Sequence, residues 1–444
     1  MRGGKARALR GLVGVLGVTL GLAFGIHESV GADFTLDAGY QARITDNVGL
    51  VPEDEQSDVV HTPFLRLIGS RDGSWLDATA NYEYRRRIFQ DGSFRNDHVV
   101  NGSGSLTAEL APRRLFWDVT HTRTQALADV RNVNNPLNQQ EINTIGTGLE
   151  YRTPEDRRNQ LQLSTRFEDQ RSSLEVNDSA RTSISANLSR GLSPRLRAGL
   201  RVQGQDIDFR EDFIPDFQRL DTRLVASREG PRLGFEVTGG LNWVDREGLD
   251  ITDGFAASAN VDFALSSTQR LTLTAEDRLA DQTNFAIAGI VGPGTAPEQG
   301  IFGNVFELRS AQLQYTFQQP RTQFQLGLGV TEQEFEGGAR ADLSSEQVSV
   351  NLTRELGPRL RFSAVATFRQ QEFGGVSGGQ PAREDEILIS QANLAWRLGA
   401  RTNVSLGVRY DDSESTAGFF NFTERSVLVS FDRTLWGLPQ RRAW

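Results

Sequence analysis

From residue 33 onward, apolar and polar positions alternate with a period of two. Leu76, Ala78, Ala80, Tyr82 and Tyr84 interleave with Asp77, Thr79, Asn81, Glu83 and Arg85. Phe324, Leu326, Leu328 and Val330 interleave with Gln323, Gln325 and Thr331, and residues 160–167 and 233–243 repeat the pattern. A period of two is the mark of strands with unlike faces. No window beyond residue 32 sustains a period of 3.6. Nine tight turns punctuate the alternation, from Arg71-Asp72-Gly73-Ser74 to Leu398-Gly399-Ala400-Arg401. Longer polar connections lie between them, such as 46–58, 125–139, 281–302 and 372–385. One strand before the first loop, nine hairpins and one strand after the last loop predict about 20 strands.

This arithmetic predicts an all-β fold: a transmembrane antiparallel up-and-down β-barrel. Its short turns and both termini face the periplasm, and its longer loops face outside. Segments of 9–11 alternating residues suffice to cross a bilayer when tilted at about 45°. A closed barrel pairs every backbone group, as lipid demands. Trp75 and Trp117 follow tight turns, and Trp396 and Trp436 end strands, so four tryptophans gather at one predicted boundary. A β-propeller or a repeated soluble sandwich is the structural rival. Loops 125–139 and 281–302 are expected outside, and turns 153–156 and 355–358 in the periplasm. Leu326 is expected to face acyl chains and Gln325 the lumen.

Residues 1–10 are basic, residues 11–26 are uncharged and mostly apolar, and Val30-Gly31-Ala32 follows with small residues at its first and last places. This is the pattern of a secretory signal cleaved after Ala32, and an uncleaved anchor is the alternative. The expected division is therefore a signal peptide over 1–32, a barrel over 33–436 and a short tail over 437–444.

Composition narrows the chemistry. The 444 residues include no cysteine, which excludes a disulfide scaffold and any thiolate metal site. The formal net charge is −9, and residues 33–444 alone carry 44 basic and 56 acidic side chains. Such a balance argues against nucleic acid as a partner. No glycine-rich phosphate loop opens a helix, and no cofactor is expected. Gly199, Gly204, Gly239, Gly240, Gly327 and Gly329 read as bends or as room for neighbouring side chains.

The stretch Arg43-Ile44-Thr45-Asp46-Asn47-Val48-Gly49-Leu50, followed by Glu55-Gln56-Ser57-Asp58, resembles the opening of an outer-membrane β-barrel family associated with the PEP-CTERM/exosortase system. The similarity continues through Asp77-Ala78-Thr79-Ala80-Asn81-Tyr82. The resemblance implies a setting of exopolysaccharide production and protein sorting, and it brings no catalytic residues. Barrels of this type usually end on a terminal aromatic read by the assembly machinery; here Trp436 and Trp444 both qualify.

Charged candidates lie on the polar parity of the strands. Arg85, Arg87, Arg195, Arg197, Arg201, Arg361 and Arg369 share it with Asp77, Glu83, Glu168, Glu236 and Glu276. They predict a lumen of mixed sign, built of Arg–carboxylate pairs that stiffen the barrel. A charged channel that sorts solutes by sign is the functional alternative. Acidic runs at 46–58, 206–212, 384–386 and 411–414 lack calcium-loop spacing and read as a solvated rim. His61, His98 and His121 share the apolar parity, which places them at the outer interface and leaves catalysis without a serine partner. A plug, if the lumen holds one, is expected from loop 281–302 or from a partner protein. The function expected is a pore or export component in an exopolysaccharide or surface-protein system. A non-conducting structural or adhesive barrel and, remotely, an interfacial hydrolase are the alternatives. The expected partners are outer-membrane lipid, lipopolysaccharide, the barrel-assembly machinery, and exopolysaccharide or export-system proteins.

Overall fold

Twenty strands follow one another along the chain in the computed structural model. It describes residues 32–437, apart from 130, 155–157, 175–177, 212–213, 249–250, 282–304, 336–341 and 376–380. The strands of the first half are β1 (Ala32–Thr45), β2 (Asp58–Arg71), β3 (Leu76–Phe89), β4 (Asp97–Ala111), β5 (Leu115–Leu127), β6 (Gln139–Arg152), β7 (Asn159–Ser172), β8 (Ser179–Gly191), β9 (Leu196–Phe209) and β10 (Phe217–Arg228). Those of the second half are β11 (Leu233–Arg246), β12 (Thr252–Ala264), β13 (Gln269–Asp281), β14 (Val305–Gln319), β15 (Thr322–Phe335), β16 (Leu343–Gly357), β17 (Leu360–Phe373), β18 (Arg383–Arg397), β19 (Thr402–Ser415) and β20 (Phe422–Trp436). Each pairs antiparallel with its sequence neighbours. β20 returns to β1 from Leu36↔Trp436 to Thr45↔Ser426, so the sheet has no free edge. The fold is a closed 20-stranded antiparallel barrel, with the ends of β1 and β20 on the tight-turn side.

The alternation sets the two faces. Leu163, Phe167, Leu188, Leu224, Leu328, Val330, Leu406 and Val429 are all exposed, an arrangement that water would penalise and lipid rewards. Leu326 is partly covered on the same outward face, with Gln325 on the opposite one. Inward positions meet as polar pairs across strands: Thr79–Ser105 at 2.6 Å, Ser164–Ser185 at 2.7 Å and Thr238–Ser258 at 2.7 Å. Trp75, Trp396 and Trp436 are more than half exposed at the tight-turn rim, and Trp117 is exposed beside them. The signal segment and Trp444 lie outside the described residues.

The strands run longer than the alternation predicts. A strand of 14 residues, such as β3, is about 46 Å long, and tilted at about 40° it rises about 35 Å. The apolar band of such barrels is about 25 Å tall, so the wall projects past the membrane on the loop side. Connection 125–139 shortens to 128–138 and 372–385 to 374–382. The turn expected at 355–358 sits two residues later, because Gly357 still pairs with Leu360. The outward face of the projecting wall is charged. Arg309 pairs with Glu307 at 2.8 Å, and Arg171 with Asp169 at 3.0 Å.

Two segments enter the lumen. The β12–β13 ladder runs from Ala264↔Arg270 only as far as Ala257↔Asp277. Beyond it the β13–β14 hairpin passes inside the wall. Leu279 and Val305 pack with Ile207, Phe209, Phe217 and Val244 in one buried cluster. Asp281 accepts from Arg181 at 2.8 Å and lies 3.6 Å from Arg219, which also donates to the Leu279 carbonyl at 2.6 Å. This hairpin carries loop 281–302, expected outside and named with a partner protein as the source of any plug; residues 282–304 themselves lie outside the described residues.

The second intruder is segment 128–138. It lies at the long-loop end of the barrel and folds across the mouth to the far wall. Arg131 donates to the carbonyl of Pro381 at 3.0 Å, and its own carbonyl accepts from Arg383 at 2.7 Å. Asn135 reaches the carbonyl of Gly49. The segment holds its shape through Asn138, whose amide donates to the carbonyls of Asp129, Asn132 and Val133 at 2.8–3.1 Å.

Candidate functional site: a guanidinium-lined chamber

Under segment 128–138 lies a cavity of about 370 Å³, walled by β1–β3, β5–β6 and β17–β20. Seven guanidiniums line it, those of Arg43, Arg85, Arg87, Arg131, Arg369, Arg383 and Arg409. Only three carboxylates share the lining, Asp385, Asp411 and Glu424. Each of the three already has a cation. Arg383 lies 3.0 Å from Asp385, Arg409 lies 2.6 Å from Asp411, and Arg43 lies 3.1 Å from Glu424. Glu424 also accepts from Thr45 at 2.6 Å.

Arginine parity explains the lining. In β18 and β19 the order Arg383-Glu384-Asp385-Glu386 and Arg409-Tyr410-Asp411-Asp412 sends Arg383, Asp385, Arg409 and Asp411 inward. Glu384, Glu386 and Asp412 line a separate outer cleft. A period of two thus puts the Arg–Asp pairs of these strands on the inward face and leaves the unpaired run of carboxylates on the outward one. Arg383 is buried between two aromatic rings, 3.7 Å from the Phe420 centroid and 4.5 Å from that of Phe373, where cation–π attraction adds to its ion pair. Arg131 reaches the same Phe373 ring at 5.4 Å.

The sequence-derived candidates divide between this chamber and the rest of the lumen. Arg85 and Arg87 line the chamber. Glu83 sits just below, bonded to Arg66 at 2.8 Å and to Arg85. Arg87 bonds Asp97 at 2.8 Å and Gln139 at 3.1 Å. Arg201 and Glu236 pair at 3.2 Å lower down. Glu236 also lines a smaller cavity near the tight turns. Arg197 donates to Ser189 at 3.3 Å, and Glu276 pairs with Arg278 at 3.0 Å. Arg361 lies in register with Glu355 at the tight-turn end of β17. The structure therefore does not gather these eight residues into one site. Arg43, Arg131, Arg383 and Arg409 complete the chamber and were not among the candidates. Three of them continue the inward parity of β1, β18 and β19, and that parity was the signal available.

The acidic runs also divide. Asp58 accepts from the backbone of Asp91 and Ser93, and Asp46 accepts from the Arg425 amide at 2.7 Å, so both fasten loop ends. The histidines each stack on an outward tyrosine: His61 on Tyr40, His121 on Tyr82 and His98 on Tyr84. His121 is held further by Tyr82 at 2.6 Å and Asn143 at 2.6 Å.

A family model described as "Putative beta-barrel porin 2" matches residues 308–433, the span from β14 to β20. No curated protein matches the chain. Among solved structures, it resembles the ferric citrate transporter FecA in its unliganded form. The identity is 9% and the TM-score 0.50, over 92% of this chain and 79% of that one. The siderophore receptor PiuA from Acinetobacter baumannii aligns at 9% identity and a TM-score of 0.49, over 91% of this chain and 82% of that one. PirA from Pseudomonas aeruginosa, another siderophore receptor, aligns at 11% identity and a TM-score of 0.45, over 90% and 80%. The likeness to FecA is one of fold. Taken with the outward apolar belt, the closed seam and the porin-type match over its last seven strands, it makes this chain a β-barrel of the bacterial outer membrane.

Proposed function

We propose that the barrel is a passive pore for small hydrophilic solutes, with no catalytic step. The observation that carries this reading is the open chamber inside a closed wall, narrowed by an inward segment rather than filled. Polar side chains line the path and apolar ones face lipid, as a conduit requires. The ends of β13 and β14 pack inside the opposite wall, so solutes would pass along β1–β3 and β17–β20. The resemblance of residues 43–58 to the exosortase-associated barrels supports an export role beside exopolysaccharide production, with lipopolysaccharide and the barrel-assembly machinery as its envelope partners. Purified protein in planar bilayers tests the reading. Discrete, stable conductance steps are expected. A folded but silent barrel would instead support a structural or adhesive role.

A further inference from the structure

The chamber's sign is opposite to that of the chain as a whole, and this contrast has a use. The full sequence carries a formal charge of −9, yet seven guanidiniums line the chamber against three carboxylates, and with Glu83 and Asp97 behind Arg85 and Arg87 counted as well the cations still outnumber the carboxylates. Arg85 is the most open of these cations, with its side chain 47% exposed while its partner Glu83 is 13% exposed. Arg369 faces the same cavity from β17. Low-dielectric walls focus such a field into the open volume and concentrate counter-ions there. Guanidinium forks match planar oxyanions and are the usual lining of anion pores. Between the cations stand hydroxyls and amides, Thr62, Gln41 and Gln371, with the rings of Phe89 and Phe422. Hydroxyl and amide partners beside aromatic faces suit a sugar ring better than a bare inorganic ion.

Resting on the pore reading above, we propose that the chamber is an anion-selecting site whose ligands are small sugar acids, held by their carboxylate.

Bilayer recordings under a salt gradient, with added galacturonate, galactose or inorganic phosphate, test this. The reversal potential should show chloride favoured over potassium by about threefold or more. Millimolar galacturonate should interrupt the current where galactose does not. Arg85→Gln leaves Glu83 bonded to Arg66, so it should fold, shift the reversal potential toward zero and weaken the galacturonate block. Arg309→Gln, on the outward rim, should change neither. Cation selectivity, or an Arg85→Gln protein identical to the parent, would overturn the proposal. Equal block by phosphate would overturn the assignment to sugar acids. A silent barrel would sink the pore reading alone, because calorimetric titration of galacturonate into the detergent-solubilised protein still decides whether the chamber binds it.

Discussion

Arg383 shows how much one inward side chain can hold. It is buried with Asp385, sandwiched by Phe373 and Phe420, and bonded to the carbonyl of Arg131. Arg383→Gln removes the cation and leaves Asp385 buried without its charge partner, a loss of about 3 kcal/mol in folding free energy. The same change frees the far end of segment 128–138, so single-channel conductance should rise. Urea unfolding and bilayer recording measure the two effects separately, and unchanged conductance would refute the constriction. A second comparison addresses the outward face. Leu326→Arg should destabilise the barrel by roughly 2–4 kcal/mol near the bilayer midplane, and Gln325→Arg, pointing into the lumen, far less. Equal losses would mean that the faces are reversed.

Segment 128–138 is the element that roofs the chamber. Its fold rests on Asn138, whose amide gathers three carbonyls. Asn138→Ala would leave those carbonyls to water and loosen the segment while the wall stays paired. Noisy, larger conductance with unchanged gel mobility is the expected result. The strands themselves were legible in the sequence, because lipid outside and water inside impose strict alternation over every crossing. Their upper ends were not. There water replaces lipid on the outward face, so Glu384 and Glu386 stand where leucines would stand lower down. Both faces are then charged, as in Arg383-Glu384-Asp385-Glu386, and such a run reads as a loop. The inward turn of 128–138 had no local signal at all, since its anchors, Gly374 and Pro381, lie some 250 residues away in sequence.

At the scale of the molecule, the wall over β18–β20 has cations in excess around the chamber inside and a cleft of carboxylates outside, Glu55, Glu384, Glu386, Asp412 and Glu414. Topology can be checked directly, because the chain has no cysteine and any introduced thiol is unique. A cysteine at Glu53, in loop 46–57, should react with an impermeant maleimide on intact cells. One at Arg359, in the turn between β16 and β17, should react only after the outer membrane is opened. The reverse pattern would invert the barrel.

The ends of β13 and β14 turn inside the wall while the strands remain part of it. A separate plug could be drawn out into the periplasm as a body, but this one is spliced into the cylinder at both ends. Its retreat would require Arg278–Asp281 to pair with β12 along Asp253–Ala256, extending a ladder that now stops at Ala257↔Asp277. That course leaves the fewest backbone groups unpaired in lipid. Clearing this half of the lumen would therefore be a zippering reaction, in which new rungs replace the surrendered Arg181–Asp281–Arg219 contacts. A cylinder built this way would widen by completing its own circumference.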